Sequence, residues 1–153
     1  MRVVVATDGS EVARHAARRA LELVREPDEL TVVYSSPELP GEDAGGIEGP
    51  TETAEEAARQ ARELDVEALG AIEETVRDLG AIAVDRRVVT GEPGPAICHL
   101  ADELHADAVV VGSHGRGLLK QMVLGSVSDY VVRHAPCPVL VVRAGADGNG
   151  SGG

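Results

Sequence analysis

The chain has no Phe and no Trp, and its aromatic content stops at Tyr34 and Tyr130. A core without large rings must be packed from Val, Leu, Ile and Ala. Lysine is nearly absent as well, since Lys120 stands alone beside the arginines. The 14 basic residues face 26 acidic ones, for a formal net charge of -12. That charge excludes a nucleic-acid or anionic-membrane partner, because both require a positive face. It fits either an adaptation to high salt or an ordinary acidic cytosolic protein. On the first reading stability rises with salt, as the Debye length shrinks to roughly 3 Å at 1 M. Cys98 and Cys137 are too few for a disulfide framework and lack metal-ligand spacing, so they read as buried free thiols. No apolar run approaches the ~18 residues of a membrane span, and the opening "MRVVVATDGS" is too short for a signal peptide. A soluble, cytoplasmic protein is expected.

What the chain does have is alternation. Val-rich runs at 2–7, 30–35, 82–90, 107–112 and 138–142 read as strands. Between them lie helical patterns: one from Ser10 as N-cap to about Arg25, with Ala13, Ala16, Ala17, Ala20, Leu23 and Val24 on one face. A second runs from Thr51 to about Leu79, its Ala54, Ala57/Ala58, Ala61, Leu64/Asp65, Ala68/Leu69, Ile72 and Val76 stripe facing inward. A third runs from Pro93 to about His105, and a fourth follows Ser126. Residues 36–50 read as a mobile loop, and 144–153 as a disordered glycine-rich tail. The expectation is one domain over 1–143 of α/β class, a doubly wound, flavodoxin- or Rossmann-like five-strand parallel sheet of order 3-2-1-4-5 with helices on both faces. Ligands of such sheets bind at the carboxyl edge where the winding reverses, here between strands 1 and 4.

The acids are unevenly spread. From Ala108 to Ser128 there is no Asp or Glu, and only Arg116 and Lys120 are charged. Glycines punctuate that stretch as Gly112-x2-Gly115-x9-Gly125-Ser126. Glycine lets backbone approach a ligand, successive N–H groups can cradle an anion, and a helix N-terminus presents unpaired N–H groups. The segment therefore offers two donor clusters beside a phosphate chain, with Ser126 and Ser128 adding hydroxyls. The plainer account is a tight turn at Gly112 and Gly115 and an ordinary capping box from Ser126 to Asp129. The pattern is neither a Walker A loop nor G-x-G-x-x-G.

Thr7 and Asp8 end strand 1 beside the same crevice. Asp8 can accept hydrogen bonds from ribose or adenine, or simply turn the chain in "DGS". Val33 can offer backbone groups to a base edge or pack the core. His114 lines or shapes the loop; no carboxylate is placed to orient it for catalysis. His15, His99, His105 and His134 show no metal spacing.

"VVVATDGS", "VVTGEP" and "ADAVVVGSHGRGLLKQMVLGSVSDYVVRHAPCPVLVVR" resemble the universal stress protein family over residues 2–143. The glycine–serine pattern of 112–126 is similar to that of its ATP-binding branch. The resemblance implies ATP, with Mg2+, as ligand and a homodimer as the assembly. It implies that Asp8 and Val33 lie at the adenosine end, and Gly112, His114, Gly115, Arg116, Gly125, Ser126, Val127 and Ser128 around ribose and phosphates. Independently of the family, uncharged strand 138–142 at a sheet edge calls for a cover. A second copy pairing through a two-fold axis supplies one, and Pro138 with the tail is the alternative. Three functions stay open: a nucleotide-binding regulatory protein, a slow ATP hydrolase or nucleotidyl-transfer enzyme, and a dimeric interaction module with a vestigial pocket.

Overall fold

The computed structural model of the chain describes residues 1–39, 53–80, 83–115 and 124–143. The elements run β1 (Arg2–Ala6), α1 (Glu11–Val24), β2 (Glu29–Ser36), α2 (Ala54–Leu79), β3 (Asp85–Thr90), α3 (Pro93–Glu103), β4 (Ala108–Gly112), α4 (Ser126–His134) and β5 (Val139–Val142). The strands form one parallel sheet in the order β3-β2-β1-β4-β5, as the alternation of strand and helix predicts.

The missing aromatics are made good by valine. Val3 and Val5 of β1 face α1 and α2 and pack with Ala16, Ala17, Ala20, Ile72 and Val76. Val4 points to the other side, where Val33, Val109 and Val111 meet Ile97, Leu100 and Ala101 of α3 and Val131 of α4. The central strands β1, β2 and β4 are covered on both faces, which is why they are apolar runs, whereas the edge strand β3 is largely exposed. The alanine face of α1 lets that helix lie close to the sheet, with Ala16, Ala17 and Ala20 fully buried.

Several boundaries differ from the sequence expectation. Leu23 is exposed, because the last turn of α1 packs on the core through Leu21 and Val24 instead. In α2 the inward stripe begins only at Ala68: Ala54, Ala57, Ala58 and Leu69 are exposed, and Ala61 and Leu64 half-buried. The reason is length. Its 26 residues span about 39 Å, against about 26 Å for the eight residues of β2, so the first half of α2 outruns the strands. Thr53, not Thr51, caps α2 through a reciprocal box with Glu56. β3 starts at Asp85, three residues later than expected. Cys98 is buried, but Cys137 only half-buried; desolvation raises both thiols above their ordinary range. The expected mobile loop lies outside the described residues from 40 on, as does the expected tail at 144–153. Among the described residues no helix is long and apolar enough to cross a membrane.

Candidate functional site

The switch point is built from three chain turns. At the first, β1 gives way to α1 through Thr7, Asp8, Gly9 and Ser10. The Thr75 hydroxyl donates to the Ala71 carbonyl, so the Thr7 hydroxyl donates to Thr75 Oγ1 at 2.8 Å; Gly9 N–H donates to Thr7 Oγ1 at 3.0 Å. Thr7 is thus committed to tying β1 to α2. Gly9 takes φ 79°, a left-handed conformation that glycine adopts without penalty. Asp8 Oδ1 accepts from Ser10 N–H at 2.9 Å, and Ser10 Oγ caps α1 through Ala13 N–H. The carboxylate of Asp8 is thereby held at the mouth of the crevice.

The second turn leaves β4. Ser113 N–H donates to the Val142 carbonyl at 2.9 Å, and Gly125 N–H returns to the Ser113 carbonyl at 2.7 Å. The Ser128 hydroxyl donates to the Gly112 carbonyl. These bonds pin the start of α4 beside the end of β4. Ser128 is buried and its hydroxyl is engaged with the protein, so its role is to shape the site. Gly112 and Gly115 are small for stated reasons. A Cβ on Gly112 would stand 3.0 Å from Val12 Cγ1, and one on Gly115 would stand 2.8 Å from Asp8 Oδ2. The His114 ring meets the Ser113 hydroxyl through Nδ1 at 3.1 Å.

The third feature is the N-terminus of α4. Its N-cap is Gly125, whose carbonyl accepts from Asp129 N–H, and not Ser126. The capping-box reading of Ser126 and Asp129 is therefore overturned: Asp129 turns instead to Arg133. Ser126, Val127 and Ser128 are the first three helical residues, whose N–H groups have no partner within the helix. No side chain caps them. By contrast, Ser10 caps α1, and Pro93 and Pro95 remove donors from the start of α3.

These turns surround a cavity of about 450 Å³, in the size range of small-molecule sites. Of the residues expected from the sequence, Thr7, Asp8, Gly112, His114, Gly115, Gly125, Ser126, Val127 and Ser128 line it. Arg116 lies outside the described residues, as does Lys120. Val33 is not at the cavity wall; its side chain is in the core and its carbonyl accepts from Thr7 N–H. Its place is taken by Ser35. Backbone groups two residues apart on a strand face the same neighbour. Val33 bonds toward β1 and Ser36 toward β3 through Gly91 N–H, so Ser35 turns its N–H and carbonyl toward β1's side just past the end of that strand. Counting two along from Val33 would have found it. Sequence reasoning also missed Tyr34 and Glu67, whose meeting joins residues 33 positions apart, and Pro93 and Ile97 of α3.

The model of the universal stress protein family matches residues 1–143. A universal stress protein of Methanocaldococcus jannaschii is 32% identical over 148 residues, which cover 93% of this chain and 81% of that protein. A solved universal stress protein in complex with cAMP is 30% identical, with a TM-score of 0.57 over 93% of this chain and 96% of that one. The universal stress protein of Archaeoglobus fulgidus in complex with dAMP is 27% identical, with a TM-score of 0.58 over 93% of this chain and 97% of that one. Sheet order, crevice and whole-length similarity agree: the chain belongs to the universal stress protein family.

Proposed function

We propose that the protein is a regulatory nucleotide-binding protein that takes ATP in the cavity at the β1/β4 switch point. The observation that carries this reading is the start of α4. Three consecutive helical residues behind a glycine N-cap face the cavity without a side-chain cap, at the positive end of the helix dipole. No acid stands between Ala108 and Ser128 to repel phosphate. Asp8, across the crevice next to Gly115, is a carboxylate able to accept ribose hydroxyls, and the backbone of Ser35 can meet a base edge. Relatives in complex with cAMP and dAMP support an adenine nucleotide.

Each dipole contact contributes about 0.3–1 kcal/mol, whereas micromolar binding needs about 8. The sugar and base contacts are therefore as necessary as the phosphate cradle. Mg2+ accompanying a nucleotide needs only one or two carboxylates beside the phosphates, and Asp8 lines the same cavity. In this reading the protein acts in the cytoplasm as a homodimer, its β5 edge covered by a second copy, and its acidic surface suits high salt.

The test is mass spectrometry of small molecules released from the purified protein, with calorimetric titration of the emptied protein. Recovery of ATP and saturable rebinding are expected. Absence of any adenine nucleotide, with no rebinding, would overturn the reading.

A further inference from the structure

Asp8 is not the cavity's only carboxylate. Glu67 of α2 lines it from the far side, and the Tyr34 hydroxyl of β2 donates to Glu67 Oε1 at 3.2 Å. The contact fixes where along the long α2 a carboxylate meets the crevice. Glu67 stands just before Ala68, the residue at which α2 first buries itself on the sheet.

The two ends of the cavity differ in chemistry. At β4 and α4 stand backbone donors suited to an anion; at β2 and α2 stand an acceptor carboxylate and a phenol. β1 lies between them, so the ends are two strand spacings apart, about 10 Å. A nucleotide carries the far edge of its base about that distance from its phosphate. Between the ends, Ala6, Ala13, Pro93 and Ile97 offer apolar walls. The polar edge of a flat base held between such walls has Glu67, an exposed residue of α2, as a carboxylate partner in the same cavity.

We infer that Glu67 reads the base: its carboxylate accepts a hydrogen bond from the 6-amino group of adenine. This rests on the adenine-nucleotide reading above and adds to it a residue of α2. A carboxylate has about four acceptor positions, so a base amino group can join the partners Glu67 already has, the Tyr34 hydroxyl among them. Tyr34 is the positioning residue, holding the carboxylate toward the cavity. In the same pose a 6-oxo purine turns an acceptor toward the carboxylate and is disfavoured.

The experiment compares ATP with purine riboside 5′-triphosphate, which lacks only the amino group, by calorimetric titration of the whole chain. The wild type is expected to bind ATP about tenfold tighter, the effect of one charge-assisted hydrogen bond. In Glu67→Ala the two ligands should agree to within about twofold, because the acceptor that distinguishes them is gone. Tyr34→Phe should lower the ratio part of the way, and Glu67→Gln, whose amide oxygen still accepts, should retain part of it. An unchanged ratio in Glu67→Ala would overturn the assignment and leave Tyr34 and Glu67 as a tie between β2 and α2. A wild type that binds ATP without preference would overturn it too. A wild type that binds neither ligand would overturn the nucleotide reading itself.

Discussion

Gly115 and Asp8 are far apart in the sequence, yet a Cβ on Gly115 would stand 2.8 Å from Asp8 Oδ2. The glycine-rich loop and the β1–α1 turn are therefore in contact through the absence of a side chain. Gly115→Ala must displace the Asp8 carboxylate, whose other oxygen is fixed by Ser10 N–H. ATP affinity is expected to fall about tenfold, the loss of roughly 1.4 kcal/mol, as measured by calorimetry. Unchanged affinity would remove Asp8 from the ribose contacts.

Another glycine holds two helices together. A Cβ on Gly94 of α3 would lie 2.7 Å from Cγ and Cδ1 of the Tyr130 ring, which itself stacks on His134. Gly94→Ala is expected to destabilise the fold by about 1–3 kcal/mol through overpacking, read from chemical denaturation. In a Tyr130→Ala background the penalty should vanish. A cost independent of Tyr130 would contradict the packing account.

The sequence reveals most of this architecture because the central strands are apolar on both faces and the helices carry plain apolar stripes. It misleads where local and tertiary signals compete. Ser126 and Asp129 have capping-box spacing, but Gly125 already accepts the Asp129 N–H, so the helix begins one residue earlier. Val33 and Ser35 are equivalent in strand pattern; only the end of β1 decides which faces the crevice. Nothing in the local sequence announces Glu67, since its meeting with Tyr34 depends on how far α2 overruns the sheet. The sequence likewise could not tell that Gly112 yields to Val12 of α1.

The cap of α2 should report on pH. Hydrogen bonding to Thr53, above all its backbone N–H, holds the Glu56 carboxyl below its ordinary range. Its folded value lies under its unfolded one, so the stabilisation is present above the ordinary glutamate range. It is lost as pH falls through the depressed value. Circular dichroism on acidification should show a smaller pH-dependent loss of helix in Glu56→Gln than in the wild type, because the amide keeps the box but does not titrate. An equal pH-dependent loss in both would show that Glu56 does not carry it.

The β5 edge offers a test of assembly. Val109 and Ser113 donate to the Pro138 and Val142 carbonyls, so the backbone of 138 and 142 faces β4, and that of Val139 and Val141 faces outward. Val141→Pro removes an outward N–H and spares the ladder to β4. Sedimentation is expected to show a dimer for the wild type and a folded monomer for the variant. A dimer that survives the substitution would place the interface elsewhere.

The account depends most on Gly125. Its φ of -71° and ψ of 163° are open to any residue, so Gly125→Leu adds bulk at the α4 N-terminus without imposing backbone strain. The decisive measurement is calorimetric titration of ATP into the emptied wild type and this variant, with circular dichroism to verify folding. The account predicts one saturable site per wild-type chain and none in the variant. Equal binding by both, or no binding by a folded wild type, would contradict it.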